Sequence, residues 1–418
     1  MAPPQQAVVV DLGADTTKAG CERAPPPHPR PRPEKRAPGG RAARAEALTA
    51  IRGARRPSGG QNPAIIFHSL VTKYRLKTAK ASARFVGQHS AATAVGAAIE
   101  TVKTSSRQVF QQDLACDCDA LEAVFDRIYS EPAMSPDMPL LLTETLFNPV
   151  AARQVAAELL FETFGVPRLQ FAVADLCSYM YNRWVGEAPA DALLVGVGHA
   201  GTTLVPVVGG EFRLGAARRV LVGGEHCSRV VRHLAYLGQL PPAIYAPRAC
   251  QDFKHQFCRC SGGDANGAAN GAELSADLQR IPDIERYRGL AAECLFRPAL
   301  VGSRLPGLGE AVGAVLDKLD AKDRAAVVGG GAFLTGGSTQ FPGFAAKLQR
   351  EAEPFLRLEE ELGVRGAGEP ALDGWRGARV VADWVFEHEE SHLTKARWEE
   401  QGVDYLLGHD ATEFVHVT

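Results

Sequence analysis

Two stretches constrain this chain more than any other feature: "AVVVDLGADTTKAG" at residues 7–20 and "ALLVGVGHAGTTLVPVVGGEF" at residues 192–212. Each is an apolar run, a glycine-bearing turn and a second apolar run, the pattern of a β-hairpin. Their recurrence predicts two halves built on one plan. A length of 418 residues agrees with that, because single hydrophobic cores rarely grow beyond about 250 to 300 residues.

Strands and helices alternate through the rest. "PAIIFHSLVTKYR" reads as a strand, and Leu121, Val124, Phe125 and Ile128 stand at helical spacing after Asp117. In "PLLLTETLFNPVAARQVAAELLFETFGVP" a buried strand over 139–143 leads through a turn at Asn148-Pro149 into an amphipathic helix that ends near Phe164. "AAVVGGGAFLTGGSTQFPGFAAKLQREAE" gives a strand, a Gly-Gly turn and a helix. This alternation predicts an α/β fold.

Hydrophobic residues make up 45% and charged residues 22%, values ordinary for a globular chain, and the net charge of −2 gives no global attraction to nucleic acid. No apolar run reaches the roughly 18 residues of a membrane span, so no membrane partner is expected, and secretion is not expected either. Nine scattered cysteines suggest free thiols in a reducing compartment. Cys258 and Cys260, with Cys250 and His255 nearby, leave a zinc site open, although C-x-C lacks the wider gap of structural zinc knuckles.

Two composition shifts stand out. Residues 21–61, including "APPPHPRPRPEKRAPGGRAARAEALTAIRGARRPSGG", are rich in Pro, Gly, Ala and Arg and read as a disordered basic insert. That insert is a solvated linker, a contact for DNA phosphate, or sequence that is not translated. Residues 261–280, beginning "SGGDANGAANGAE", read as a flexible link.

The glycine turns offer three places where backbone N–H groups can converge on an anion. Their order along the chain carries a resemblance. "VVVDLGADTTKAG" resembles the first phosphate loop of the actin superfamily, "LLLTETLFNP" with "LLFETFGVP" its strand-helix segment, and "FLTGGSTQFPGF" its adenosine loop. "ALDGWRGARVVADW", "HLTKARWEEQGVDYLLGH", "MYNRW" and "CLFRPALVG" resemble the actin-related protein 5 group within it.

The resemblance implies two related α/β domains around a nucleotide cleft, with residues 1–185 and 370–418 forming the large domain and 186–369 the small one. It implies ATP or ADP with magnesium as ligand, contacted by Asp11, Gly13, Ala14, Lys18, Gly198, Gly223, Gly336, Gly337 and Ser338, with Gly224 beside them. It also implies a nuclear scaffold subunit of a chromatin remodeller. Its partners would be the remodeller ATPase, other subunits and the nucleosome.

Departures from the family pattern bear on catalysis. Ala14 stands where a phosphate-binding serine would be, and Asp15 replaces a glycine. Gly196 and His199 occupy the positions of two aspartates that serve metal and water. The water-positioning glutamine falls at Ala174, with Asp175 one place away, and Phe253-Lys254 stands where a Lys-Glu pair contacts adenosine. Phosphoryl transfer depends on such positioning, so no catalytic residue is assigned. An ATPase or phosphotransferase acting on its own is the rival reading. The family's long small-domain insertion is here reduced to the 261–280 link.

His388 and His392 have the spacing of a zinc-protease helix. The segment lacks the extended motif's glycine and third histidine, and the pair reads as a chance match on a solvated surface. Trp375, Trp384 and Trp398 are expected to pack as core.

Overall fold

A computed structural model describes residues 6–21, 62–76, 82–86, 102–111, 114–115, 117–245, 247–260, 279–388 and 391–407. The basic insert from residue 22, the link over 261–278 and the last eleven residues lie outside them. The chain divides into two compact units, one from Met1–Ala188 with Leu372–Thr418, the other Pro189–Ala371.

In the first unit, β1 (Val8–Leu12) and β2 (Thr16–Gly20) form the first hairpin. The chain continues through β3 (Ile65–His68), β4 (Leu70–Leu76), β5 (Ser82–Val86), β6 (Val102–Gln108), β7 (Phe110–Gln111) and β8 (Leu114–Ala115). Helix α1 (Cys118–Tyr129) follows, its first turn capped by the Asp117 carboxylate accepting from the Ala120 amide. Then come β9 (Leu140–Glu144), α2 (Val150–Glu158) extended by a π-turn at Leu159–Thr163, β10 (Arg168–Val173) and α3 (Ala174–Val185). The C-terminal segment adds α10 (Asp373–Val385), β17 (Leu393–Thr394), α11 (Lys395–Gln401) and α12 (Val403–Leu407).

The main sheet runs β17-β10-β9-β1-β2-β3, with β1, β9 and β10 parallel. All five side chains of β1 are buried, as a central strand covered on both faces requires. Helix α10 crosses α3 so closely that a Cβ on Gly377 would lie 1.9 Å from the Cys177 carbonyl oxygen. Fully buried Trp375 donates its indole N–H to the Val9 carbonyl at 3.1 Å, tying α10 to β1. Trp398 is buried and Trp384 half-buried.

The second unit repeats the plan. Strands β11 (Ala192–Val197) and β12 (Thr202–Val208) make the second hairpin, with β13 (Glu211–Phe212) and β14 (Arg218–Val220) beside β12. Helices α4 (Gly224–Tyr236), α5 (Pro247–Phe257), α6 (Ile284–Phe296), α7 (Leu308–Leu316) and α8 (Ala321–Gly330) follow. Last come β15 (Ala332–Thr335), α9 (Phe344–Ala352) and β16 (Val364–Gly366). The sheet runs β13-β12-β11-β15-β16, and β11, β15 and β16 are parallel. In both units a hairpin's first strand therefore leads into a parallel set, which accounts for the recurrent sequence unit and meets the α/β expectation. Among the described residues no helix is long and apolar enough to cross a membrane.

Arg324, 2% exposed on α8, donates to both Glu360 carboxylate oxygens, to Asp317 and to the Phe355 carbonyl. The Arg324 hydrogen bonds hold the Glu360 carboxyl at about 2, far below its ordinary 4.5. Because the folded value is the lower one, this contribution is complete above about pH 4.5 and disappears as the pH falls towards 2. Replacing Arg324 by Met is expected to destabilise the second unit by about 3 kcal/mol near neutral pH. Urea denaturation from neutral to acid pH should show the gap from the parent protein closing below about pH 4.

Candidate functional site

The parallel strands β1, β9 and β10 all end on one side of the first unit's sheet, the place where α/β sheets receive ligands. Asp11 stands near the end of β1, 6% exposed. Its Oδ2 accepts from Lys18 Nζ at 2.6 Å, and its Oδ1 accepts from Thr143 Oγ1 at 2.9 Å. Thr143 in turn accepts from the Leu12 amide at 3.1 Å. One carboxylate thus links the second hairpin strand to the end of β9.

The turn over 13–15 is held from below by Ser69. Its hydroxyl donates to the Gly13 carbonyl and lies 2.8 Å from Thr17 Oγ1, while its amide donates to the Asp15 carbonyl at 2.9 Å. Asp15 lies 3.5 Å from His68 Nδ1. A Cβ on Gly13 would approach the Thr16 carbonyl oxygen to 2.8 Å, so the tight turn itself requires this glycine. Ala174 opens α3 at the end of β10, with Asp175 next to it. Burial pushes the Cys177 thiol well above its ordinary range, and the carboxylates of Asp11 and Asp175 add to the rise.

In the second unit the corresponding loop is made from three segments. The Gly198 carbonyl accepts from the Gly224 amide at 3.0 Å and from Ser338 Oγ at 2.9 Å, and the Gly198 amide donates to the Gly201 carbonyl at 2.9 Å. A Cβ on Gly223 would fall 2.6 Å from the His199 carbonyl oxygen, and one on Gly224 would fall 2.6 Å from Ser338 Oγ. Gly336 has φ +89°, and a Cβ there would meet the Val197 carbonyl oxygen at 2.5 Å. Gly337 differs: nothing lies within 4 Å of the Cβ position it leaves vacant. Packing thus explains Gly223, Gly224 and Gly336, and it does not explain Gly337.

Two residues join this loop that sequence reasoning did not place there. Lys254, read only as a departure, is 3% exposed and donates to the Gly224 carbonyl at 3.4 Å. Glu225 follows the loop on α4, its amide donating to the His199 carbonyl at 2.7 Å. Burial works to raise the Glu225 carboxyl, but the Arg229 hydrogen bond and charge outweigh it and hold the group below its ordinary value. No local motif marks either residue.

These donors can be weighed against a magnesium nucleotide. Magnesium is held through carboxylates and water in near-octahedral geometry. In the first unit Asp11 is already engaged by Lys18 and Thr143. In the second, Gly196 and His199 bring no carboxylate to the loop, and Glu225 is tied to Arg229 at 2.7 Å. The amides of Gly198, Gly224, Glu225 and Gly336 are spent on carbonyls of their own unit. Asp11 and Glu225 thus each already have a partner within their own unit.

The histidine pair requires a correction. Helix α10 stops at Val385, and the chain turns through His388 N–H to Val385 C=O at 3.2 Å and Ser391 N–H to His388 C=O at 3.1 Å. His388 is exposed with Nδ1 2.8 Å from the Trp384 carbonyl, whereas His392 is 2% exposed beneath Tyr405, whose hydroxyl donates to its carbonyl. The two do not share a helix face and are not a free surface pair. Cys250, Cys258 and Cys260 are buried while His255 is exposed, and burial pushes the Cys260 thiol up to about 12. Among the described residues no three His, Cys, Asp or Glu side chains are grouped to hold a metal.

Two units of one plan, each with a glycine loop at the ends of its parallel strands, define a duplicated α/β nucleotide-fold protein. The family model for actin matches residues 57–243 and 243–407, and the chain belongs to the actin family. It is similar to Actin-related protein 5 of Drosophila melanogaster, 29% identical over 202 residues covering 45% of this chain and 31% of that protein. It is similar to Actin-related protein 5 of Homo sapiens, 31% identical over 182 residues covering 42% of this chain and 29% of that protein. Actin-like protein 7B of Rattus norvegicus is 25% identical over 321 residues, covering 74% of this chain and 75% of that protein. The chain therefore spans under a third of the length of those two actin-related protein 5 relatives.

Alanine at the two neighbouring loop glycines separates packing from open space. Gly336→Ala is expected to lower stability by about 2 kcal/mol, because it combines positive φ with a backbone clash. Gly337→Ala should change it by less than about 0.5 kcal/mol. Thermal melting of both variants checks the contrast.

Proposed function

We propose that this chain is a non-catalytic actin-related scaffold subunit of a nuclear ATP-dependent chromatin remodelling complex of the inositol-requiring type. In that role it holds the remodeller ATPase and other subunits and supports nucleosome engagement, transcription regulation and DNA repair. The observation that carries the non-catalytic part is the second loop: Gly196 and His199 supply no carboxylate, and the loop closes on its own carbonyls. Family membership and the C-terminal segments "ALDGWRGARVVADW" and "HLTKARWEEQGVDYLLGH" support the scaffold part.

The proposed division is a large actin-like domain of residues 1–185 and 370–418 and a small one of 186–369. The proposed residual nucleotide contacts are Asp11, Gly13, Ala14, Lys18, Gly198, Gly223, Gly336, Gly337 and Ser338. ATP or ADP with magnesium is the ligand they would meet, and the open position at Gly337 favours retained binding without turnover.

Gentle purification of the tagged protein from nuclear extract, followed by mass spectrometry, tests the partners. Recovery with a remodeller ATPase and other actin relatives is expected; recovery alone, or only from cytosol, overturns the assignment. Magnesium-dependent ATP hydrolysis is expected to stay at background. Turnover that rises with magnesium and disappears in Asp11→Ala would establish the independent ATPase instead.

A further inference from the structure

Helix α4 carries Arg229, Arg232, His233 and Tyr236 at i, i+3, i+4 and i+7, which places all four along one face. With Tyr245 from the 3-10 turn Pro242–Tyr245 they line an open cleft of about 250 Å³. The aromatic rings are not core: Tyr236 is 76% exposed, Tyr245 57%, and adjacent Leu237 54%. Arg229 is offset by Glu225 at 2.7 Å, whereas Arg232 forms no ion pair among the described residues. The cleft thus keeps a positive excess, concentrated in about one helical turn.

We propose that this cleft docks a phosphorylated serine or threonine on a partner protein. A phosphomonoester carries about −1.5 to −2 at neutral pH and three acceptor oxygens, and it suits the Arg232 guanidinium fork better than a single carboxylate does. The volume falls below the roughly 300 Å³ at which pockets begin to enclose small-molecule ligands. A nucleic-acid strand would need a basic groove following several phosphates, and here the two arginines lie within about one turn of a single helix. Exposed tyrosines and arginine are the residue types that dominate protein interfaces. Tyr236, Leu237 and Tyr245 would take the apolar residues that flank the phosphate. The inference requires only the fold of the second unit and does not depend on membership of a nuclear complex.

The test is fluorescence anisotropy on the full chain with three labelled probes. These are a degenerate pool of phosphoserine and phosphothreonine peptides, the same pool unphosphorylated, and a short single-stranded oligonucleotide. The phosphorylated pool is expected to bind at least about tenfold tighter than the unphosphorylated one, the size of one or two charge-assisted hydrogen bonds. Arg232→Ala should abolish that preference and Arg232→Lys should retain part of it. Tyr236→Ala, at a position too exposed to affect folding, should weaken binding without moving the melting temperature. Equal affinity for both peptide pools, no binding to either, or tighter binding of the oligonucleotide through the same residues overturns the proposal.

Discussion

The buried carboxylate of Asp11 is the constraint on which the first unit's loop rests. A charge taken out of water must be met by a partner and by hydrogen bonds, and Lys18 and Thr143 supply both. The hairpin is thereby locked to the end of β9, and Ser69 fastens the intervening turn from the other side. That arrangement is stable because it is closed.

The second unit solves the same geometric problem without a buried carboxylate, with Lys254 as the charged donor to its loop. Its loop is assembled from glycines whose missing side chains let backbone meet backbone, with the Gly198 carbonyl as the shared acceptor. The two loops therefore share a place in a repeated fold, while the chemical means that hold them differ.

Sequence patterns exposed most of this frame. The hairpins, the strand before Asn148-Pro149 and the helix that starts near Asp117 were legible because each is a local signal, with its period and turn residues lying within a few positions. What was not legible depended on contacts across the fold. "PAIIFHSLVTKYR" reads as one strand, yet buried Ser69 breaks it into β3 and β4, which belong to different sheets, because its polar groups are claimed by the turn at 13–15. Lys254 reaches the second loop only because α5 packs beside α4. His392 looks solvated in a charged stretch of sequence, and only the packing of Tyr405 against it, from thirteen positions further on, buries it. The Gly-Gly step at 336–337 was recognised, but only the space around each Cβ position separates the two.

The first unit is built from both ends of the described chain, with the second unit contiguous between them. A ribosome delivers β1 and β2 before the second unit, yet the indole that meets the Val9 carbonyl belongs to Trp375, which follows it. The central strand therefore waits until the whole of the second unit has been made before α10 can cover it. Pro189–Ala371, which needs nothing from either end to complete its sheet, can close sooner. Order of emergence and order of completion are reversed for the two units, and the interval between them is when the apolar face of β1 is most open to chaperones or to wrong partners.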